Sequence, residues 1–433
     1  MRRSVRWPAL VTGIILALPG CGGEEQPVRI GLLTECRGFL AGFEEAMLAG
    51  AELPLLARGG RLVDGTPRGA VEGAQVGGRP VELVRGCTET PEHSVLIEET
   101  RRLIEVEHVV AVVGPTGESD AIVFREIARR YPDVTFVPAW SGSQEPTLRR
   151  PAPNLFRFET DEAQDVAGLG AFAYRELGWR SAAIIADDYG LGWSEGAAFT
   201  AEFCALGGRI VRAEYASFVS DPVARLPGSV DGVAVLISGL LGTPDLIPKL
   251  ARKLGSTKDR LVVGTYVLED PTMVAAAGDA IDGVVGGSPI PPPLSTPAMR
   301  AHRKAFADAF PGLPAVFAEG PIVLGFHDAM EGLLRGLEAA EGDLSDGGSR
   351  LRAELGRLRF ELPASPVRLD ANRQAVRHTY LKRVKVSAGV ARFELVRVVP
   401  DVEQTYGGLL SNAPAPGPRS QPCRKATPPP WAR

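Results

Sequence analysis

Aromatic residues are scarce in this chain: Phe, Trp and Tyr together make up 6% of its 433 residues. Any large core must therefore be aliphatic. Cysteine is scarcer still, with 5 residues, too few for a disulfide scaffold and too scattered for a structural zinc site. The histidines at 93, 108, 302, 327 and 378 have no metal-ligand spacing, so neither a metal nor another cofactor is expected. Positive charge is not in surplus: 48 basic and 52 acidic residues give a net charge of −4. That leaves nothing to neutralise a phosphate backbone and excludes nucleic acid as a partner. Hydrophobic residues are 45% and charged residues 23%, which excludes a wholly disordered chain and a polytopic membrane protein. What is abundant is punctuation: 50 Gly and 36 Pro imply many turns between short elements. The length allows about three domains or two large lobes.

The first residues set the compartment. Arg2, Arg3 and Arg6 form a positive n-region, and residues 10–18 form an apolar stretch too short to span a bilayer. It ends in Leu18-Pro19-Gly20-Cys21, which resembles a bacterial lipobox, with Pro19 a less usual choice at its position. Residues 1–20 are expected to be a lipoprotein signal peptide, Cys21 the lipidated N-terminus and 21–27 a tether. Two or more acyl chains hold a protein firmly on a membrane. The protein is thus expected outside the cytoplasm as a membrane-anchored lipoprotein, in the periplasm or on the cell surface, facing an oxidising space.

Beyond the tether, strands and helices alternate. Residues 28–34, 81–85, 109–113 and 134–137 read as strands, and 39–56, 91–106 and 119–130 as helices. Residues 58–78 look like an exposed insertion. A second series places strands at 182–186, 210–215, 232–237 and 261–264, with helices at 161–177, 194–206 and 243–254. Helices return at 297–310 and 318–340, the latter with Ile322, Phe326, Met330, Leu333 and Leu337 on one stripe. The end is β-rich at 367–369, 379–386 and 391–399. Strands separated by helices indicate βαβ units and parallel sheets, here in two similar lobes. The Pro-rich segment 406–433 reads as a disordered tail. Cys36 and Cys87 each fall just beyond an expected strand. Sequential strands are commonly neighbours, so the two thiols are expected to form a disulfide, whereas Cys204, inside a helix, reads as a buried free thiol.

No catalytic constellation emerges, and the chain is not expected to be an enzyme. Gly192-Trp193-Ser194-Glu195-Gly196 matches G-x-S-x-G, but a nucleophile elbow needs its Ser directly after the strand. Ser194 comes seven residues late and is better placed as a helix cap or first-turn residue. Two α/β lobes without chemistry suit ligand capture, because ligands sit at the carboxyl ends of strands in such sheets and two lobes can close like a hinge.

A family resemblance becomes specific here. The stretches 28–33 (VRIGLL), 81–91 (VELVRGCTETP), 109–119 (VVAVVGPTGES), 136–148 (FVPAWSGSQEPTL), 181–192 (SAAIIADDYGLG) and 366–370 (PVRLD) run in the order of the substrate-binding lipoproteins of branched-chain amino acid ABC transporters. The chain resembles this leucine/isoleucine/valine-binding type. The resemblance implies a type I periplasmic-binding-protein fold, with two Rossmann-like α/β lobes of parallel sheets joined by a hinge. Residues 28–157 and 290–370 would form lobe 1, and 158–289 and 371–405 lobe 2. It implies an amino acid or similar small polar ligand and an ABC transporter permease as partner. A sensor that feeds no transporter is the alternative, since the fold serves both.

By the same resemblance, the first-lobe loops offer Glu118, Ser119, Trp140 and Ser141. Ser119 and Ser141 would present hydroxyls and N–H groups to the ligand, and Trp140 a cation-π or apolar wall. Tyr189 and Tyr266 would cover the ligand from the second lobe, with the loop at Ser238 completing that wall. The family usually has Tyr where Leu191 stands. Its acidic ammonium-binding residue falls near Tyr266, with Glu269 three residues on.

Overall fold

The computed structural model describes residues 26–216, 221–238, 245–411 and 422–433. Cys21 and residues 1–20 lie outside the described residues, as do Gly239 and Leu240 of the Ser238 loop. No described helix is long and apolar enough to cross a membrane.

Aliphatic strands build two sheets. In the first, the order is Gln75–Val76, Arg79–Thr90, Val28–Gly38, Ala111–Val113 and Thr135–Val137. All neighbours are parallel except the first pair. The second sheet runs Arg359–Glu361, Pro366–Leu369, Ala375–Ser387, Val285–Ser288, Leu261–Val263, Gly232–Leu236, Ser181–Asp187 and Arg209–Ala216, with Val390–Val402 paired to Ala375–Ser387. Its stretch from Val285–Ser288 to Arg209–Ala216 is parallel. The central strands, such as GVAVL at Gly232–Leu236, are buried on both faces. Parallel strands covered by helices on each side require this.

The helix Pro321–Ala339 opens with Pro, whose missing N–H costs nothing there. It buries Phe326, Met330, Leu333 and Leu337 in the core of the first lobe, while Ile322 is only partly buried. The insertion after residue 57 is pinned rather than loose. Arg85 donates to the carbonyls of Pro67 and Arg68 and to the buried carboxylate of Glu52.

The chain crosses between the sheets near Arg157, near Ser288 and again near Gln374. Phe156 and Phe158 pack in the first core and Ala163 in the second. The strand Pro366–Leu369 hydrogen-bonds into the second sheet, yet Val367 and Leu369 pack in the first core.

Three expectations need correction. The first two strands extend past their apolar runs, to Gly38 and Thr90, because backbone ladder bonds tolerate polar side chains. Cys36 and Cys87 therefore sit within neighbouring strands, not beyond them, with Thr34 opposite Cys87. They form the expected disulfide, with Cα atoms 5.3 Å apart. Cys204 is not a free thiol: it is bonded to Cys423, Cα–Cα 5.2 Å. Consequently the tail from 406 is not disordered at its end. Trp431 stacks edge-on against Tyr406 and donates to the buried Glu202 at 2.7 Å.

The Cys204–Cys423 bond closes a sequence separation of 219 residues, worth up to about 5 kcal/mol in the chain-entropy model. Cys423→Ser is expected to lower the unfolding temperature and expose the 422–433 segment to protease. Scanning calorimetry and limited proteolysis check this; an unchanged melting curve and cleavage pattern would contradict it.

Candidate functional site

Seven loops at strand carboxyl ends meet in one cavity of about 560 Å³. Phe39 and Leu40 follow the strand Val28–Gly38, and Thr90 ends Arg79–Thr90. Glu118 and Ser119 follow Ala111–Val113, while Trp140 and Ser141 follow Thr135–Val137. From the second sheet come Tyr189 after Ser181–Asp187, Ser238 after Gly232–Leu236, and Tyr266 after Leu261–Val263. This is the edge at which open α/β sheets bind ligands. All six ligand residues expected from the sequence, Glu118, Ser119, Trp140, Ser141, Tyr189 and Tyr266, line it. Trp140 and Tyr266 meet across the cleft with ring centroids 6.3 Å apart.

Most of the loops are held by a buried carboxylate beneath them. Glu35 accepts from the Leu40 N–H at 2.8 Å. Glu159 accepts from both the N–H and the hydroxyl of Ser141, at 2.6 and 2.8 Å. Asp187 accepts from the Ser238 N–H at 2.6 Å, and Glu195 from the Thr265 N–H at 3.1 Å. Asp120 accepts from the Thr90 hydroxyl at 3.0 Å. Ser141 is thus at the expected place, but both of its donors are already engaged. Toward a ligand its hydroxyl oxygen offers lone pairs, not a proton.

Trp140 has φ +48°, a left-handed backbone that a bulky residue adopts only when its surroundings impose it. The Thr116 hydroxyl and the Gly117 N–H impose it here by donating to the Trp140 carbonyl. The indole Nε1 is buried without a partner. Ser119 lies exposed in the first turn of the helix Glu118–Arg130, whose N-cap is Gly117. It does not cap that helix.

The helix Gly190–Ala205 begins four residues earlier than expected, because Tyr189 in extended conformation serves as its N-cap. Ser194 is therefore in the second turn and not a cap or first-turn residue. Leu191 lines the cavity where the family's Tyr was sought. Glu269 is elsewhere: it pairs with Lys382 and accepts from Ser288.

The sequence reading missed Glu162, which is 2% exposed and lines the cavity with Oε2 unpartnered. Glu118 lines the same cavity, and the two carboxyls interact there. Glu118 comes from the first lobe and reaches Gly190 of the second. Both carboxyls lean on bare backbone, since a Cβ at Gly190 would collide with Glu118 and one at Gly142 with Glu162. The missed signal is the run Glu159-Thr160-Asp161-Glu162-Ala163-Gln164-Asp165, with its carboxylates and no basic residue. It reads as a helix start, and it is one: Asp161 and Gln164 form a capping box.

Among the described residues lining the cavity none is Lys, Arg or His. The nearby Arg377 lines a small adjoining cavity and is engaged by Asp328 at 2.6 Å, Ser365 and the Phe158 carbonyl. Burial therefore raises the cleft carboxyls. Glu118 is pushed up to about 7 by desolvation and by the charge of Asp187. Asp187 is raised to about 6 by desolvation. Glu162 and Glu195 are raised well above the usual range, chiefly by desolvation. No described group of His, Cys, Asp and Glu could hold a metal ion.

The sequence matches the family model described as periplasmic binding protein over residues 27–390. The chain belongs to the periplasmic binding protein family. Membership makes it a binding protein rather than an enzyme. An ABC transporter substrate-binding protein from Sphaerobacter thermophilus is similar at 25% identity and TM-score 0.74, covering 88% of this chain and 99% of its own. A solute-binding protein from R. palustris in complex with benzoate shares the fold at 24% identity and TM-score 0.67, over 86% of this chain and 96% of its own. A leucine-binding protein from Thermotoga maritima does so at 22% and 0.65, over 86% and 99%. No curated protein matches the chain. The type I two-lobed fold of this family is the one expected from the sequence.

Two expectations follow from the site. A carboxyl whose pKa is raised on folding, from an unfolded value near 4, stabilises the fold fully below that value. The stabilisation is lost as pH rises through the folded value. With Glu118 near 7 and Asp187 near 6, the ligand-free protein should melt at a higher temperature at pH 5 than at pH 8. Glu118→Gln should flatten that decline; a flat wild-type profile measured by calorimetry would contradict it. Ser141→Ala leaves Glu159 with one donor fewer and should cost about 1.5–3 kcal/mol of stability, the range for a hydrogen bond to a charged group. Urea unfolding of both proteins measures this.

Proposed function

We propose that the protein captures a small amine-bearing solute, amino acids included, between its two lobes outside the cytoplasm. It then delivers that solute to the permease of an ABC transporter, with Cys21 as its lipid anchor. The observation that carries the reading is the single cavity where seven strand-end loops of two sheets converge, lined by rings and carboxyls. A solute held there contacts both lobes, so its binding energy favours the closed arrangement that a permease can distinguish from the open one. Glu118 and Glu162 suit an ammonium head, and Trp140, Tyr189 and Tyr266 suit the body attached to it. Ser119, beside the first turn of the helix Glu118–Arg130, is the group best placed for a ligand carboxylate. Delivery to a transporter rests on the similar substrate- and solute-binding proteins of ABC transporters.

The test is a thermal-shift screen of the purified protein against amino acids, amines and aromatic acids. A solute at 100 times its Kd adds about 2.7 kcal/mol of stability, and it should change Trp140 fluorescence, because the indole lines the cavity. No shift with any solute of these classes would sink the reading. Cys21→Ser is expected to release the protein from membranes or leave its precursor unprocessed. An unchanged, processed, membrane-bound mutant in cell fractionation would remove the anchor.

A further inference from the structure

Resting on the reading of this cavity as the solute site, we propose that its ligand is a net cation, an amine or guanidine carrying no carboxylate. The charged head sits between the carboxyls of Glu118 and Glu162, and the hydrocarbon body lies against the rings of Trp140, Tyr189 and Tyr266. The argument begins by removing the carboxyls that already have work. Glu35, Glu159, Asp187, Glu195 and Asp120 each accept from the backbone or hydroxyl of a cleft loop. Glu145 is ion-paired with Arg149. Glu118 and Glu162 remain. They come from opposite lobes, both line the cavity and interact there, and Glu162 has a buried oxygen with no partner.

Two carboxyls in contact cannot both ionise without a counter-charge, because like charges at that distance repel strongly. Among the described residues the lining provides no counter-charge: none is Lys, Arg or His. Arg377, in the small adjoining cavity, is bound to Asp328, and Arg149 is bound to Glu145. The other charged or titratable groups facing the pair add to the repulsion. They are Asp187 from the strand below Tyr189, Glu195 from the helix Gly190–Ala205, and Asp165 from the turn that bears Glu162. The phenols of Tyr189 and Tyr266 are neutral. A zwitterionic ligand would bring one positive charge and add one negative charge to this set. An anionic ligand would add only repulsion. A cation supplies what is missing, and desolvated ring faces strengthen its attraction. The Ser141 hydroxyl, which donates to Glu159, offers an acceptor to the same head.

A consequence follows for protons. In the empty cleft the pair shares at least one proton. An ammonium or guanidinium that takes its place expels it, so binding releases about one proton to solvent. The affinity then rises with pH, up to about tenfold per unit, while the pair remains protonated. The cation also turns a repulsive contact between the lobes into an attractive one, which couples occupancy to closure.

The experiment is calorimetry of the purified protein with agmatine, cadaverine and choline, alongside L-leucine and benzoate, in two buffers of different ionisation enthalpy at pH 6 and pH 8. At least one cation is expected to bind, with proton release at pH 6 and tighter binding at pH 8. Leucine and benzoate are expected to bind at least tenfold more weakly. Glu118→Gln and Glu162→Gln, each verified as folded by circular dichroism, should weaken the cation at least tenfold and reduce the proton release. Trp140→Leu, which keeps both carboxyls, should weaken it without changing the release. If leucine or benzoate binds and the cations do not, the inference falls and the solute-binding reading stands. If a cation binds without proton release and survives both Gln variants, the inference falls too. If nothing binds, both fall.

Discussion

The relative placement of the two lobes depends on one buried guanidinium. Arg157 is fully buried where the chain first leaves the first lobe. A buried charge is tolerated only when it is paired and every donor is satisfied, and the surroundings of Arg157 are organised to that end. It donates to the Gln374 side chain, the Ser143 carbonyl and the Thr147 hydroxyl, with Asp161 3.8 Å away. Its own N–H donates to the Arg373 carbonyl. Gln374 belongs to another crossing, and its amide donates to the Glu159 carbonyl and to Gln164. Gln164 in turn donates to the carbonyls of Ala375 and Val402. Two chain crossings and the loop of Ser143 are thus bound into one network, whose members lose their partners together if one is removed.

The same economy of form recurs in the cleft. Buried carboxylates under Leu40, Ser141, Ser238 and Thr265 hold the cleft loops from below. Each is costly to bury alone, and each becomes tolerable because a backbone N–H answers it. The loops are therefore set in place before a ligand arrives, which reduces the ordering that binding would otherwise require. The strained backbone of Trp140 belongs to the same arrangement: the ring is presented to the cavity by bonds to its carbonyl and not by its own preference.

How much of this was legible in the sequence varies with the range of the interactions. The alternation of strands and helices was readable because aliphatic runs such as VVAVV and GVAVL are local, and the cleft loops were readable because each follows such a run. The ends of Val28–Gly38 and Arg79–Thr90 were not, since a parallel ladder continues through polar residues. The role of Ser141 was misjudged because its partner, Glu159, is 18 residues away. Glu162 was hidden in a segment that reads, correctly, as a capped helix start. Cys204 looked solitary because its partner sits in a Pro-rich tail 219 residues on, where composition alone signals no structure.

The two disulfides have a mechanical meaning. Cys36–Cys87 joins neighbouring strands inside one lobe, and Cys204–Cys423 fastens the tail to a helix inside the other. Neither bond passes from one lobe to the other. Oxidation therefore stiffens the jaws and leaves the pivot free. Any movement of one lobe against the other runs on hydrogen bonds and packing, which break and re-form at thermal energies, while the covalent braces keep each lobe in shape.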